Sequence, residues 1–125
     1  METSILPIQP AFARQFTQEW IDSWNSHDLD RILAHYADDV ALSSPVALQR
    51  LGGDGVVRGK PALCDYFTRG LQAIPDLRFD LIEVLWGTET IVVLYRNNHR
   101  GTKSAEVMQL NAAGNVIRVW ANYDQ

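Results

Sequence analysis

DLRFDLIEVLWGTETIVVLYRNNHRGTKSAEVMQLNAAGNVIRVWANY, residues 76–123, carries an apolar period of two. Leu77, Phe79 and Leu81 alternate with Arg78 and Asp80, the pattern of a strand with one face buried. The apolar phase then moves by one residue to Ile82, Val84 and Trp86. Such a slip inside one strand marks a β-bulge, which bends the sheet where it occurs. Gly87-Thr88 and Gly101-Thr102 read as turns, leaving strands from Thr90 to about Arg100 and from Ser104 to Leu110. Asn111 to Gly114 leads into a last strand, Asn115–Tyr123. Consecutive strands joined by turns this short pair antiparallel.

Upstream the period is helical. Pro10 starts a first helix, in which Phe12, Phe16, Trp20 and Trp24 recur every four residues with Ile21 in the same stripe. Asn25-Ser26-His27 break it, and Asp28 caps a second helix carrying Leu29, Ile32, Leu33 and Tyr36. Asp38-Asp39 suit a helix stop and a solvated end, because carboxylates oppose the dipole there. Val40 to Leu48 reads as a short strand interrupted at Ser43-Ser44-Pro45, followed by a rim loop at Gly52-Gly53-Asp54-Gly55. Lys60-Pro61 opens a third helix with Leu63, Tyr66, Phe67 and Leu71 on one side. Residues 1–9 read as a loose arm and 10–125 as a single domain. Three helices followed by hairpin-linked strands spell α+β with a bent antiparallel sheet.

Composition narrows the function classes. Eleven basic against fifteen acidic residues, a net charge of −4, leave no electrostatic footprint for nucleic acid. No apolar run is long enough to span a membrane. The single Cys64 excludes an internal disulfide and suits a cytoplasmic setting, with a packing role for the thiol itself. His27, His35 and His99 have no metal-ligand spacing, and the glycine-rich segment lacks a phosphate-loop pattern, so neither a metal nor a cofactor is expected. Four Trp, four Tyr and four Phe in 125 residues are the unusual feature.

With these elements placed, the residues resemble a known family. Trp24-Asn25-Ser26-His27-Asp28-Leu29-Asp30, Tyr36-Ala37-Asp38-Asp39-Val40 and Ser44-Pro45 are similar to the opening of nuclear transport factor 2-like proteins. Gly59-Lys60-Pro61-Ala62-Leu63 with Tyr66-Phe67, Pro75-Asp76-Leu77, and Asn111 to Ile117 extend the likeness over residues 10–123. The SnoaL-like and ketosteroid-isomerase branches are closest. The resemblance implies a cone-shaped α+β barrel, three N-terminal helices packed on a strongly bent antiparallel sheet around an apolar pocket. Members include isomerases, dehydratases, epoxide hydrolases, cyclases and non-catalytic modules, so the fold does not decide the function.

The resemblance also places residues. In the ketosteroid-isomerase branch a protonated carboxylic acid on the third long strand donates to the substrate oxygen; the similar position here is Glu106. Strand alternation puts Met108 and Leu110 on the same face. The matching phase is Val93, Tyr95, Asn97 and His99 on the preceding strand, and Ile117, Val119, Ala121 and Tyr123 on the last. Trp20 stands where that branch has a helix-borne tyrosine, with Phe16 in its stripe, and Phe67 faces in from the third helix. That branch's aspartate before the proline is Ser44 here, which removes the usual carboxylate base.

The expectation is a cofactor-free isomerase, dehydratase or cyclase acting on a small apolar carbonyl or hydroxyl compound. Glu106 and His99 are its acid–base pair; Trp20, Tyr95, Asn97, Tyr123, Met108, Phe67 and Phe16 hold the substrate. The alternative is a non-catalytic ligand-binding or assembly module, in which Glu106 is a buried acid satisfied by its neighbours. On the opposite face of the sheet, Trp120, Arg118, Leu94 and Arg96 have the chemistry of an interface, and the family's common dimer implies a homodimer there.

Overall fold

A computed structural model describes residues 3–124, with Met1, Glu2 and Gln125 outside the described residues. The elements in order are α1 (Pro10–Ser26), α2 (Leu29–Leu33), β1 (Tyr36–Ser43), α3 (Pro45–Leu51), β2 (Val56–Arg58), α4 (Lys60–Ala73), β3 (Phe79–Trp86), β4 (Thr90–Asn97), β5 (Lys103–Leu110) and β6 (Val116–Tyr123). Four helices pack on one curved, unclosed six-stranded sheet of order β2-β1-β6-β5-β4-β3, the expected α+β architecture.

The bend arises where the apolar phase slips. The β3–β4 register shifts between Leu81 and Glu83, so Ile82 is the extra residue. The β3 to β6 meander is antiparallel throughout, whereas β1 lies parallel to β6. Helices intervene between β1 and β6, so no hairpin constrains their direction. A second bulge lies between Tyr36 and Ala41, which pair with Val116 and Arg118. Asp38-Asp39 sit on it, exposed as expected but in a strand instead of at a helix end. Tyr36 therefore belongs to β1, and α2 is a single turn whose N–H of Arg31 donates to the Asp28 cap.

Two further local expectations are corrected. Ser44-Pro45 does not interrupt a strand but starts α3: the Ser44 hydroxyl accepts from the Val46 N–H at 3.1 Å, and Pro45 takes the first turn. The N-terminal arm is not loose in its described part. Ile5 N–H donates to Ala112 O and Ile8 N–H to Thr88 O, and Ile8 is buried.

α1 lies across the concave face. Trp20, fully buried, stacks on Phe79 at 5.7 Å and donates its indole N–H to the Tyr36 hydroxyl at 3.0 Å. Asn25 ties the helix end to β3 by donating to Phe79 O and accepting from Phe79 N–H, at 2.9 and 2.7 Å. His27, at φ 59°, then ends the helix in the left-handed conformation with its N–H on Trp24 O.

Candidate functional site

Register decides which inward side chains share a depth. Ile91, Met108 and Val119 form one cross-strand row; Val93, Glu106 and Ala121 form the next; Tyr95, Ser104 and Tyr123 form the third. Each row lies two residues, roughly 7 Å, further toward the open end. At that end a cavity of about 330 Å³ opens between the sheet, α3 and α4. Trp24 closes its α1 side, Tyr66 and Phe67 come from α4, and Ser44, Gln49 and Arg50 come from the α3 segment. The sheet supplies Glu106, Tyr95, Asn97, Ala121 and Tyr123, and the β4–β5 turn adds His99 and Arg100.

Among the described residues Glu106 is the only carboxylate in this lining, and it is 9% exposed. Burial opposes its ionised form and pushes it up to about 7, against a smaller opposing effect of the Tyr95 hydroxyl. That hydroxyl donates to Glu106 Oε1 at 3.4 Å. Burial first, and the Glu106 charge second, raise the Tyr95, Tyr123 and Tyr36 phenols. Burial also raises Tyr66, while the Ser44 hydroxyl and the Arg50 charge draw it the other way. The centre thus holds an acid poised to gain or lose a proton at neutral pH, ringed by phenols that stay protonated and can donate hydrogen bonds.

Of the sequence-predicted residues, Glu106, His99, Tyr95, Asn97, Tyr123 and Phe67 all line this cavity. Trp20, Phe16 and Met108 do not. Met108 is one row deeper than Glu106, completely buried between Ile91 and Val119. Trp20 and Phe16 lie one and two turns behind Trp24 on α1, about 6 and 12 Å back along the axis. Trp20 is core, and Phe16 packs edge-on against His35 at 5.5 Å. Trp24 therefore occupies the place expected for Trp20. On β6 a bulge opposite Gln109 and Leu110 shifts the phase, so Val116 is buried and Ile117 is not.

Glu106 and His99 are not joined as a pair. Among the described residues no hydrogen bond or ion pair links them, and His99 is exposed in the turn, its N–H on Asn97 Oδ1. Sequence reasoning missed Trp24, Tyr66 and Arg50 as lining residues. The legible signal for the last was Ser44-Pro45 read as a helix start, which carries Arg50 to the rim.

A SnoaL-like domain matches residues 17–122. A SnoaL-like protein of unknown function from Burkholderia thailandensis E264 is 42% identical over 95% of this chain and 100% of its own, with a TM-score of 0.91. An NTF2-like protein of unknown function from Burkholderia pseudomallei K96243 shares 23% identity over 90% and 91% of the two chains, TM-score 0.75. SalBIII, an epoxide hydrolase/cyclase-like enzyme in pyran ring formation of the polyether salinomycin, shares 15% identity over 90% and 91%, TM-score 0.70. No functionally curated protein matches the chain. A mixed α+β fold, a pocket at the open end of the sheet and a domain match over most of the length together mean that the chain belongs to the SnoaL-like family of the NTF2-like superfamily.

Proposed function

We propose that the cavity binds a small, mostly apolar carbonyl or hydroxyl compound and that Glu106 performs acid–base chemistry on it without a cofactor. The observation that carries this is Glu106 itself: a buried carboxyl, held near neutrality in its proton affinity, facing a cavity of about 330 Å³. In an enolisation, ionised Glu106 takes a proton from the carbon beside the carbonyl. A protonated tyrosine, Tyr95 or Tyr123, donates a hydrogen bond to the oxygen as charge develops there. Return of the proton to another carbon of the conjugated enolate completes isomerisation; its delivery to a departing hydroxyl completes dehydration. Neither needs an oxidant. Asn97 and Phe67 orient the substrate, and His99 exchanges protons at the rim with solvent. SalBIII offers an analogy of fold for such chemistry, at an identity that carries nothing finer.

The test is deuterium exchange. Cavity-sized ketones and β-hydroxyketones in D₂O, followed by NMR, exchange the α-hydrogens faster with protein present and lose the acceleration with Glu106→Gln. Undiminished exchange in the variant refutes the role of Glu106. Binding without exchange by either protein leaves the non-catalytic module.

A homodimer belongs to the same proposal. Trp120 is 39% and Leu85 50% exposed on the convex face, with half-buried Leu94 and Val107 between them in the sheet order. Arg118 lies 5.0 Å over the Trp120 ring and donates to Ser43 Oγ at 2.7 Å, which flattens this patch. Arg96 is likewise tied down, to Gly101 O. The cytoplasm, suited to the lone free thiol of Cys64, is the proposed location.

A further inference from the structure

The arginines divide into two groups. Arg31, Arg58, Arg69 and Arg78 each pair with a carboxylate. Arg96 and Arg118 donate to Gly101 O and Ser43 Oγ, and Arg14 lies 5.0 Å over the Trp86 ring. Among the described residues the remaining two, Arg50 and Arg100, have no such partner, and both line the mouth of the cavity. They come from different elements, α3 and the β4–β5 turn, so no single helix or loop explains why both line it. Arg50 is near enough to act electrostatically on both Tyr66 and Tyr123. Among the described residues the lining holds no other carboxylate than Glu106, so none there stands against them. On a chain of net charge −4, two unengaged guanidinium groups flanking one opening are a local reversal of sign.

We infer that the ligand is amphipathic: an apolar body that enters toward Glu106 and a compact anionic head, carboxylate, sulfonate or phosphate, that stays at the mouth between Arg50 and Arg100. This names the substrate class for the site above and rests on the cavity being that site. Guanidinium groups suit such a head because their planar forks donate paired hydrogen bonds to oxyanions. The head also fixes the direction of entry, so that the carbon presented to Glu106 lies at the apolar end. Asn97, half-buried in the lining, meets the junction.

Two fluorescent probes with one skeleton separate the contributions: anionic 8-anilino-1-naphthalenesulfonate and its uncharged parent, N-phenyl-1-naphthylamine. The wild-type chain should bind the sulfonate more tightly, with an affinity that falls as salt is raised, while the neutral probe is indifferent to salt. Arg50→Gln with Arg100→Gln should weaken the sulfonate about tenfold, as two partly exposed charged contacts allow, and leave the neutral probe within about twofold. Amide shifts at Glu106 and Tyr95 on titration should place both probes in the cavity; shifts confined elsewhere overturn the inference. Equal binding of both probes, untouched by the double variant, overturns the anionic head and leaves the cavity standing. Failure of both probes, or of the sulfonate alone, to bind the wild type overturns the inference, and failure of both overturns the cavity reading with it.

Discussion

Replacing Glu106 by Gln should make the protein more stable, and only above about pH 5. The folded chain holds the Glu106 proton up to about 7 against an ordinary value of 4.5, because the buried carboxylate has lost its water. The folded state therefore binds this proton more tightly than the unfolded state does. Stability from Glu106 is intact below 4.5 and is lost as pH rises through about 7. The full loss, reached above pH 8, is about 3 kcal/mol at 1.36 kcal/mol per unit. Gln has the shape of the protonated acid and no charge to bury, and its amide oxygen accepts from the Tyr95 hydroxyl as Oε1 does. Urea unfolding of both proteins, from pH 4.5 to 8.5, measures the difference. The curves should nearly coincide at the acid end and separate by about 3 kcal/mol at the alkaline end, roughly 1–2 M in midpoint. The Arg58 hydrogen bond that lowers Asp54, and the Arg31 hydrogen bond that lowers Glu19, act equally in both chains and cancel. A difference independent of pH, or one that shrinks as pH rises, refutes the placement of an ionisable carboxyl in a dry site.

Three perturbations test other parts of the molecule. Asn25→Ala removes both hydrogen bonds that join α1 to Phe79 and leaves partly buried backbone groups unsatisfied, so thermal or urea unfolding should show a loss of about 2–3 kcal/mol. Gly55→Ala places a Cβ 2.9 Å from Leu48 Cβ at φ +72°, and unfolding should register a loss of more than about 1 kcal/mol; a neutral result contradicts the tight return from α3 to β2. Trp120→Glu puts a charge on the convex patch, and sedimentation equilibrium should find the wild type dimeric and the variant monomeric at micromolar concentration, with unchanged far-ultraviolet circular dichroism.

The meander was legible because β4, β5 and most of β6 have one buried face, and burial writes itself into alternation, whereas β3 is buried only at Phe79 and leaves Leu81 and Ile82 exposed. Even the bend was legible: the slip at Leu81-Ile82 is a local property of side chains, and the register shift falls on it. β1 and β2 were not. The strand β2 is three residues long, and β1 spends its middle on an exposed bulge carrying Asp38 and Asp39, so neither shows an alternation to read. The seven-residue α3 is too short for an apolar stripe and announced itself only by Ser44-Pro45.

For the site, the family resemblance pointed to Glu106 and alternation then put Tyr95, Asn97 and Tyr123 on its face, but a face has length as well as side. Met108 shares the face of Glu106 and lies one row too deep. Trp20 and Trp24 share one helical stripe, and only the crossing of α1 over β3 decides that Trp24 reaches the cavity while Trp20 becomes core. Periodicity reports which way a side chain points because the backbone repeat alone sets that direction. It carries no information on how far along the sheet two elements cross, which is settled by long-range packing. By itself the sequence determined an α+β chain with a bent meander, and its family resemblance implied an inward acid. Tertiary structure alone decided that this acid meets a cavity, that its hydrogen-bond partner is Tyr95 and not His99, and that Arg50 and Arg100, from different elements, line the same cavity.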